Sequence, residues 1–262
     1  MPAPTVERLS VELIPAFKDN YIYLLREPGS NSVGIVDAGD STPALAELAR
    51  QELSLTHIFN THHHPDHVGG NAALKAQYPD AVLIGPKSET ARIPGMDMMV
   101  AEGDEVAFGS LSFRVIEVPG HTRGHIAFWT EAGSAVFSGD TLFAMGCGRM
   151  FEGTADQMWK SLGRLKSLPS VTRVYCGHEY TQTNARFALT VDPHNPALIE
   201  RAAEVDRLRA AELPTIPSNI GIENATNPFL RADEPAVAEA VGLAGADPVQ
   251  VFAEIRLRKD NF

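Results

Sequence analysis

The sequence predicts an α+β fold in two parts, and three observations carry that prediction. Before residue 180, short β-branched or aromatic runs alternate with turn signals and helical patterns. Beyond Tyr180 the pattern changes to helices separated by proline-containing loops. Four of the predicted strands end in His or Asp residues, and no internal repeat accounts for this. The boundary falls near residue 181, giving a first domain over 1–180 and a helical domain over 181–262.

Residues 21–25 and 33–36 read as strands separated by the turn-prone Pro28-Gly29-Ser30-Asn31. A helix follows, capped by Ser41 or Thr42, with Pro43 in its first turn and Leu45, Leu48, Ala49 and Leu53 as one apolar stripe. Residues 57–59 and 81–84 read as buried strands, and a helix can start at Gly69-Gly70. Residues 106–118 alternate as a hairpin around Gly109-Ser110. A second hairpin pairs 126–129 with 135–137. Then come a helix over 156–167 with Met158, Leu162 and Leu165 apolar, and a strand over 173–176. In the C-terminal part, 197–213 is helical, a loop holds Pro214, Pro217 and Pro228, and a last helix starts at Asp247-Pro248.

The chain of 262 residues, 44% hydrophobic and 21% charged, can bury a proper core. A net charge of −11 argues against a general nucleic-acid binder, which would neutralise phosphates across a basic face. Cys147 and Cys176 are too few for a disulfide framework or a thiolate zinc site, so a metal here must be held by nitrogen and oxygen. The opening Met-Pro-Ala-Pro-Thr-Val-Glu-Arg has no basic segment followed by an apolar one, and no run is long enough to cross a bilayer. The expectation is a soluble, cytoplasmic protein without a membrane partner.

Residues 61–67 read Thr-His-His-His-Pro-Asp-His. Imidazole and carboxylate are ligands for zinc, iron and manganese. Pro65 pushes His64 towards extended backbone, so His62 and His64 project from one side and His63 points away. After the turn, Asp66 and His67 offer a second set. Later strand ends add His121, Asp140 and His178. Seven such ligands suit two metals sharing one, and a water between them becomes a nucleophile at neutral pH. His125 lies four residues after His121, and spacing alone does not say which binds metal; His125 is read as structural. His57 is read as a core or supporting histidine, and His194 as a loop residue.

The run at 61–67 is followed by Gly120-His121-Thr122-Arg123-Gly124-His125, Ser138-Gly139-Asp140-Thr141-Leu142-Phe143 and Cys176-Gly177-His178-Glu179-Tyr180-Thr181. In that order they resemble the metallo-β-lactamase superfamily. Residues 146–153, 216–230 and the C-terminal Arg256, Lys259 and Asp260 narrow the resemblance to the glyoxalase II, or hydroxyacylglutathione hydrolase, family. It extends from Phe17-Lys18-Asp19-Asn20-Tyr21 to the C-terminus.

The resemblance implies an αβ/βα sandwich followed by a helical domain that helps to bind glutathione. It implies two divalent metal ions, zinc in the first instance, with iron or manganese accepted by the same donors. His62, His64 and His121 would hold one ion, Asp66, His67 and His178 the other, and Asp140 would bridge. Substrate contacts carry over to Arg149, Phe151, Tyr180, Arg256 and Lys259. Arg149 keeps the charge of a lysine found in some members, whereas Phe151 replaces a tyrosine and cannot donate a hydrogen bond. The implied reaction is hydrolysis of S-D-lactoylglutathione to glutathione and D-lactate, the second step of methylglyoxal detoxification. The nucleophile would be a hydroxide bridging the two metals, and Asp66 and Asp140 the catalytic carboxylates. The expected partner is this small glutathione thioester, bound by a monomer. The alternatives are a glutathione persulfide dioxygenase of the same superfamily and a non-catalytic metal-binding protein.

Overall fold

The computed structural model describes residues 8–262; the first seven residues, read above for a leader segment, lie outside it. The described chain forms two compact units, one of residues 8–116 and 126–137 and the other of 117–125 and 138–262.

The first unit begins with an antiparallel pair, β1 (Ser10–Ala16) and β2 (Asn20–Arg26), and β3 (Val33–Val36) adds antiparallel to β2. α1 (Ser41–Arg50) then crosses over so that β4 (His57–Phe59) pairs parallel to β3. Its N-cap is Asp40, whose side chain accepts from Thr42 N, one residue ahead of the predicted Ser41 or Thr42. Its buried stripe is Ala44 and Leu48, with Leu45 partly buried; Ala49 faces solvent, because Ala44 and Leu48 already stand one turn apart on the sheet side. After the short α2 (Pro65–Val68) and α3 (Asn71–Gln77), β5 (Val82–Pro86) and β6 (Met98–Val100) continue the sheet in parallel.

One face of this sheet packs Ile22, Leu24, Ile35, Ile58 and Leu83 with Ala44, Leu48 and Leu74 of the helices. The other face meets the antiparallel strands β7 (Glu105–Phe108), β8 (Leu111–Glu117), β9 (Ile126–Thr130) and β10 (Ala135–Gly139) through aromatic rings. Phe59 lies 5.1 Å from Phe128 and 5.4 Å from Phe113, and Tyr23 lies 5.6 Å from Phe137, centroid to centroid. Burial on both faces is why β3 and the Ile58-Phe59 end of β4 are apolar without alternation.

The second unit contains the small hairpin β11 (Leu142–Phe143) and β12 (Gly146–Cys147), then α4 (Ala155–Lys166), β13 (Arg173–Cys176), α5 (Thr181–Val191) and α6 (Pro196–Ala210). It ends with β14 (Ser218–Asn219), α7 (Ile220–Thr226), α8 (Pro235–Ala240) and α9 (Pro248–Asp260). β13 pairs with β14, and the last residue of β10 accepts from Gly177 N at 2.9 Å. The helix starts follow the sequence: Thr154 and Gln157 form a capping box for α4, and Asn195 and Asp247 cap α6 and α9 ahead of a proline. Met145, Ala185, Ala188, Leu198, Ala202 and Val205 form one core, and Phe229 stacks on Phe187 and meets Phe252 edge-on. Cys147 and Cys176 are both free and buried. Among the described residues, no helix is long and apolar enough to cross a membrane.

Candidate metal centre

In the first unit, the parallel strand β4 ends at Phe59 and presents the histidine run beyond its C-terminal end, where α/β sheets display ligands. His64 is extended (φ −60°, ψ 142°), as the following proline requires, and Pro65 opens α2, which carries Asp66 and His67. Two glycines let this helix sit against the chain after β3. A Cβ on Gly39 would lie 2.0 Å from Asp66 O, and one on Gly69 2.6 Å from Gly39 O.

Hydrogen bonds fix the tautomers. Asp37 accepts from Thr61 N at 2.8 Å and from Thr61 Oγ1 at 2.7 Å, and its Oδ2 lies 3.1 Å from His67 Nδ1. That carboxylate beside Nδ1 favours the His67 tautomer with its proton there, which leaves Nε2 for a ligand. Thr61 Oγ1 has spent its one proton on Asp37, so its 3.0 Å contact with His62 Nδ1 has the ring donating. His62 therefore also offers Nε2, 3.1 Å from His64 Nδ1. Two nitrogens bound to one tetrahedral zinc at ~2.05 Å stand ~3.3 Å apart, so this spacing fits a shared ion. Asp66 Oδ2 lies 3.7 Å from His67 Nε2 and accepts from Asn20 Nδ2 at 3.0 Å. His63 turns elsewhere, as alternation predicts, and meets the buried Glu89 at 2.8 Å.

In the second unit, Asp140 follows directly on β10. Its Oδ2 lies 3.4 Å from His121 Nε2 and 3.4 Å from His178 Nε2, and all three residues are buried. One carboxylate oxygen thus faces two imidazole nitrogens, a donor set that suits a divalent ion. His121 Nδ1 donates to Arg149 O at 2.8 Å, which again directs Nε2 inward. His125 accepts from Asp140 N at 3.0 Å through its own Nε2, so it positions the backbone of Asp140. His57 is half-buried, stacked on Phe59, and burial lowers its pKa. His194 is an exposed loop residue.

The five predicted substrate residues also lie in this unit. Tyr180 stacks on His178 at 4.7 Å and 3°, and Phe151 lies 5.2 Å from the His121 ring; both remain well exposed. Arg149 is exposed, with Nε 3.6 Å from Asp260 Oδ1. Arg256 is buried and donates to Cys147 O at 2.8 Å and Asp260 Oδ1 at 2.9 Å, over the Phe229 ring. Lys259 lies over the rings of Phe187 and Phe262, and burial, then Arg256 and Arg149, push its pKa down to about 8.

All seven predicted ligands are among the His and Asp groups able to hold a metal ion, and the donor set suits divalent ions. Sequence reasoning did not find Asp37, Asn20 or Glu89, although an Asp directly after an apolar strand is a visible signal.

Residues 17–178 match the family model of the metallo-beta-lactamase superfamily, and residues 179–262 that of the hydroxyacylglutathione hydrolase C-terminus. The solved structure of ETHE1 from Myxococcus xanthus is similar at 29% identity and a TM-score of 0.59, covering 83% of this chain and 96% of that one. The solved structure of TTHA1623 in a di-iron-bound form is similar at 27% identity and a TM-score of 0.57, covering 84% of this chain and 100% of that one. The fold is thus α+β, of the metallo-β-lactamase type. The hydroxyacylglutathione hydrolase of Methylococcus capsulatus is 52% identical, covering 97% of this chain and 99% of that protein. The hydroxyacylglutathione hydrolase of Rhodospirillum rubrum is 53% identical, with the same coverage. The chain belongs to the hydroxyacylglutathione hydrolase family.

Proposed function

We propose that this protein is a binuclear metal-dependent thioesterase that hydrolyses S-D-lactoylglutathione to glutathione and D-lactate. The observation that carries the reading is Asp140, whose one carboxylate oxygen faces the Nε2 atoms of both His121 and His178 at 3.4 Å. His62, His64 and His121 would hold one ion, Asp66, His67 and His178 the other, and Asp140 would be shared. Bound ions lower the pKa of water from about 15.7 towards 7 and polarise a carbonyl oxygen. The chain's own residues supply orientation. Asn20 orients Asp66 by donating to its Oδ2, and the Asp66 carboxylate would accept a proton from the attacking water. Thiolate is a good leaving group, so no separate acid is required. Zinc is the metal proposed; the di-iron form of the similar TTHA1623 supports iron as an alternative.

The helical part over 181–262 is read as the substrate-binding domain and 1–180 as the catalytic one, supported by the change of family model after residue 178. Arg149, Tyr180 and Lys259, with Arg256 behind them, would meet the glutathione portion; Phe151 would offer only its ring. An assay with lactoylglutathione, read beside metal content per chain, tests the reading. Steady release of thiol is expected, and none from a fully metallated sample would sink it.

Lys259 adds a pH dependence. With its pKa pushed down to about 8, it is charged below that pH and neutral above it. KM for the anionic thioester is therefore expected to rise as pH passes upward through about 8. In Lys259→Met that inflection should vanish, and an unchanged KM–pH profile would remove Lys259 from the binding set.

A further inference from the structure

We propose that Glu223, Asn227, Asn184 and Arg256 form a polar clamp on the 142–147 hairpin, and that this clamp is what positions Asp140 and His121. Each residue from Phe143 to Cys147 gives a backbone group to one of these side chains. Asn227 Nδ2 donates to Phe143 O at 3.1 Å and to Gly146 O at 3.0 Å. Asn184 Nδ2 donates to Ala144 O at 3.1 Å, and Arg256 Nη1 to Cys147 O at 2.8 Å. Glu223 Oε2 accepts from Met145 N at 2.7 Å and from Asn227 Nδ2 at 3.0 Å, while its other oxygen meets Ser218 Oγ. Glu223 and Asn227 are both fully buried, at 0% exposure.

A buried carboxylate and amide are costly unless they are bonded, and apolar side chains would pack the same space without that cost. Their use here provides direction. Met145 at the tip has left-handed backbone (φ 52°), which a residue with a Cβ disfavours. Two things hold it there: the bond from its N–H to Glu223, and its side chain packed against Ala185, Ala188 and Leu198.

The two feet of the hairpin are the site itself. On one side stands Asp140, two residues before β11. On the other, Gly148 N donates to Thr141 O at 3.2 Å, and a Cβ on Gly148 would lie 1.9 Å from Asp140 O. Next in the chain, Arg149 O accepts from His121 Nδ1. A shift of the hairpin must therefore move the Asp140 carboxylate and the carbonyl that fixes the His121 tautomer. Glu223, Asn227 and Asn184 bond backbone atoms of the hairpin and act through them; they are positioning residues.

The test uses the full chain reconstituted with Co2+, reading the visible d–d spectrum and the rate of Co2+ loss to a chelator at a temperature where each variant is folded. Glu223→Gln can keep its oxygen on Met145 N and turn its amide to Ser218, so the wild-type spectrum and rate are expected. Glu223→Ala should shift the spectrum and release Co2+ about tenfold faster, the scale of a lost ligand support. Asn184→Ala, which removes only the bond to Ala144 O, should act in the same direction and stands in if Glu223→Ala does not fold. A wild-type spectrum and release rate in the folded alanine variant overturns the clamp, as does a Glu223→Gln protein as disturbed as Glu223→Ala. The inference rests on Co2+ binding through His121 and Asp140; wild-type protein that bound no Co2+ would overturn that reading instead, so the two failures are distinct.

Discussion

Asp140→Ala is expected to lose activity by at least roughly 10^3-fold in kcat/KM for lactoylglutathione, together with metal. The carboxylate oxygen that faces both His121 and His178 disappears, while the bond from His121 Nδ1 to Arg149 O remains. Metal ions acting as Lewis acids supply several kcal/mol of transition-state stabilisation, and ~4 kcal/mol corresponds to about a thousandfold. Kinetics and metal analysis on the same sample check this. Full metal content with full rate would remove Asp140 from the centre. Asp140→Asn separates charge from shape: it keeps one oxygen acceptor, so partial metal content with low rate is expected.

Asp37→Ala should have the second-largest effect, and chiefly on stability. It strips the acceptor from Thr61 N and Thr61 Oγ1 and the carboxylate beside His67 Nδ1, at a site where Asp37, Thr61 and His67 are all buried. Each buried donor left without a partner costs ~1–3 kcal/mol, and since such costs are not additive the total is expected at about 3–5 kcal/mol. Urea unfolding of the metal-free protein measures it. The variant should also bind metal roughly 10–100-fold more weakly, because His67 loses the group that selects its tautomer. Asp37→Asn divides the two effects. Asn tolerates the left-handed backbone at this position (φ 52°) and can still accept from Thr61 N, but its amide would face His67 Nδ1. Stability should mostly return while metal affinity does not. Equal recovery of both would show that the tautomer of His67 is irrelevant.

The ligands were legible because their signal is local. Four histidines and an aspartate crowd into 61–67, and His121, Asp140 and His178 each follow a strand that reads clearly on its own. Asp37 and Asn20 were not, since their roles come from partners 24 and 46 residues away. Among the elements, 33–36, 57–59 and 173–176 read to the residue, being short segments whose apolar residues end sharply. β1 went unread because Ser10–Ala16 is largely half-buried and carries Pro15, which suits an edge strand but breaks the alternation. α5 went unread because Tyr180 gives it no side-chain cap and threonines are scattered along it, so packing of Ala185 and Ala188 on α6 stabilises what propensity does not. Arg256 and Lys259 show a third kind of gap. Their i, i+3 spacing was visible, but not that one is buried against a backbone carbonyl and the other only partly covered.

The two cysteines have a consequence for a protein that would release a thiol at every turnover. Burial pushes the pKa of Cys147 up to about 11 and that of Cys176 up to about 12, so neither forms a thiolate near neutral pH. Disulfide exchange requires a thiolate with access to the partner sulfur. The protein should therefore take up no glutathione as a mixed disulfide, even in millimolar oxidised glutathione, and its mass should stay unchanged while folded. A chain built to handle glutathione has placed its own sulfur where glutathione cannot react with it.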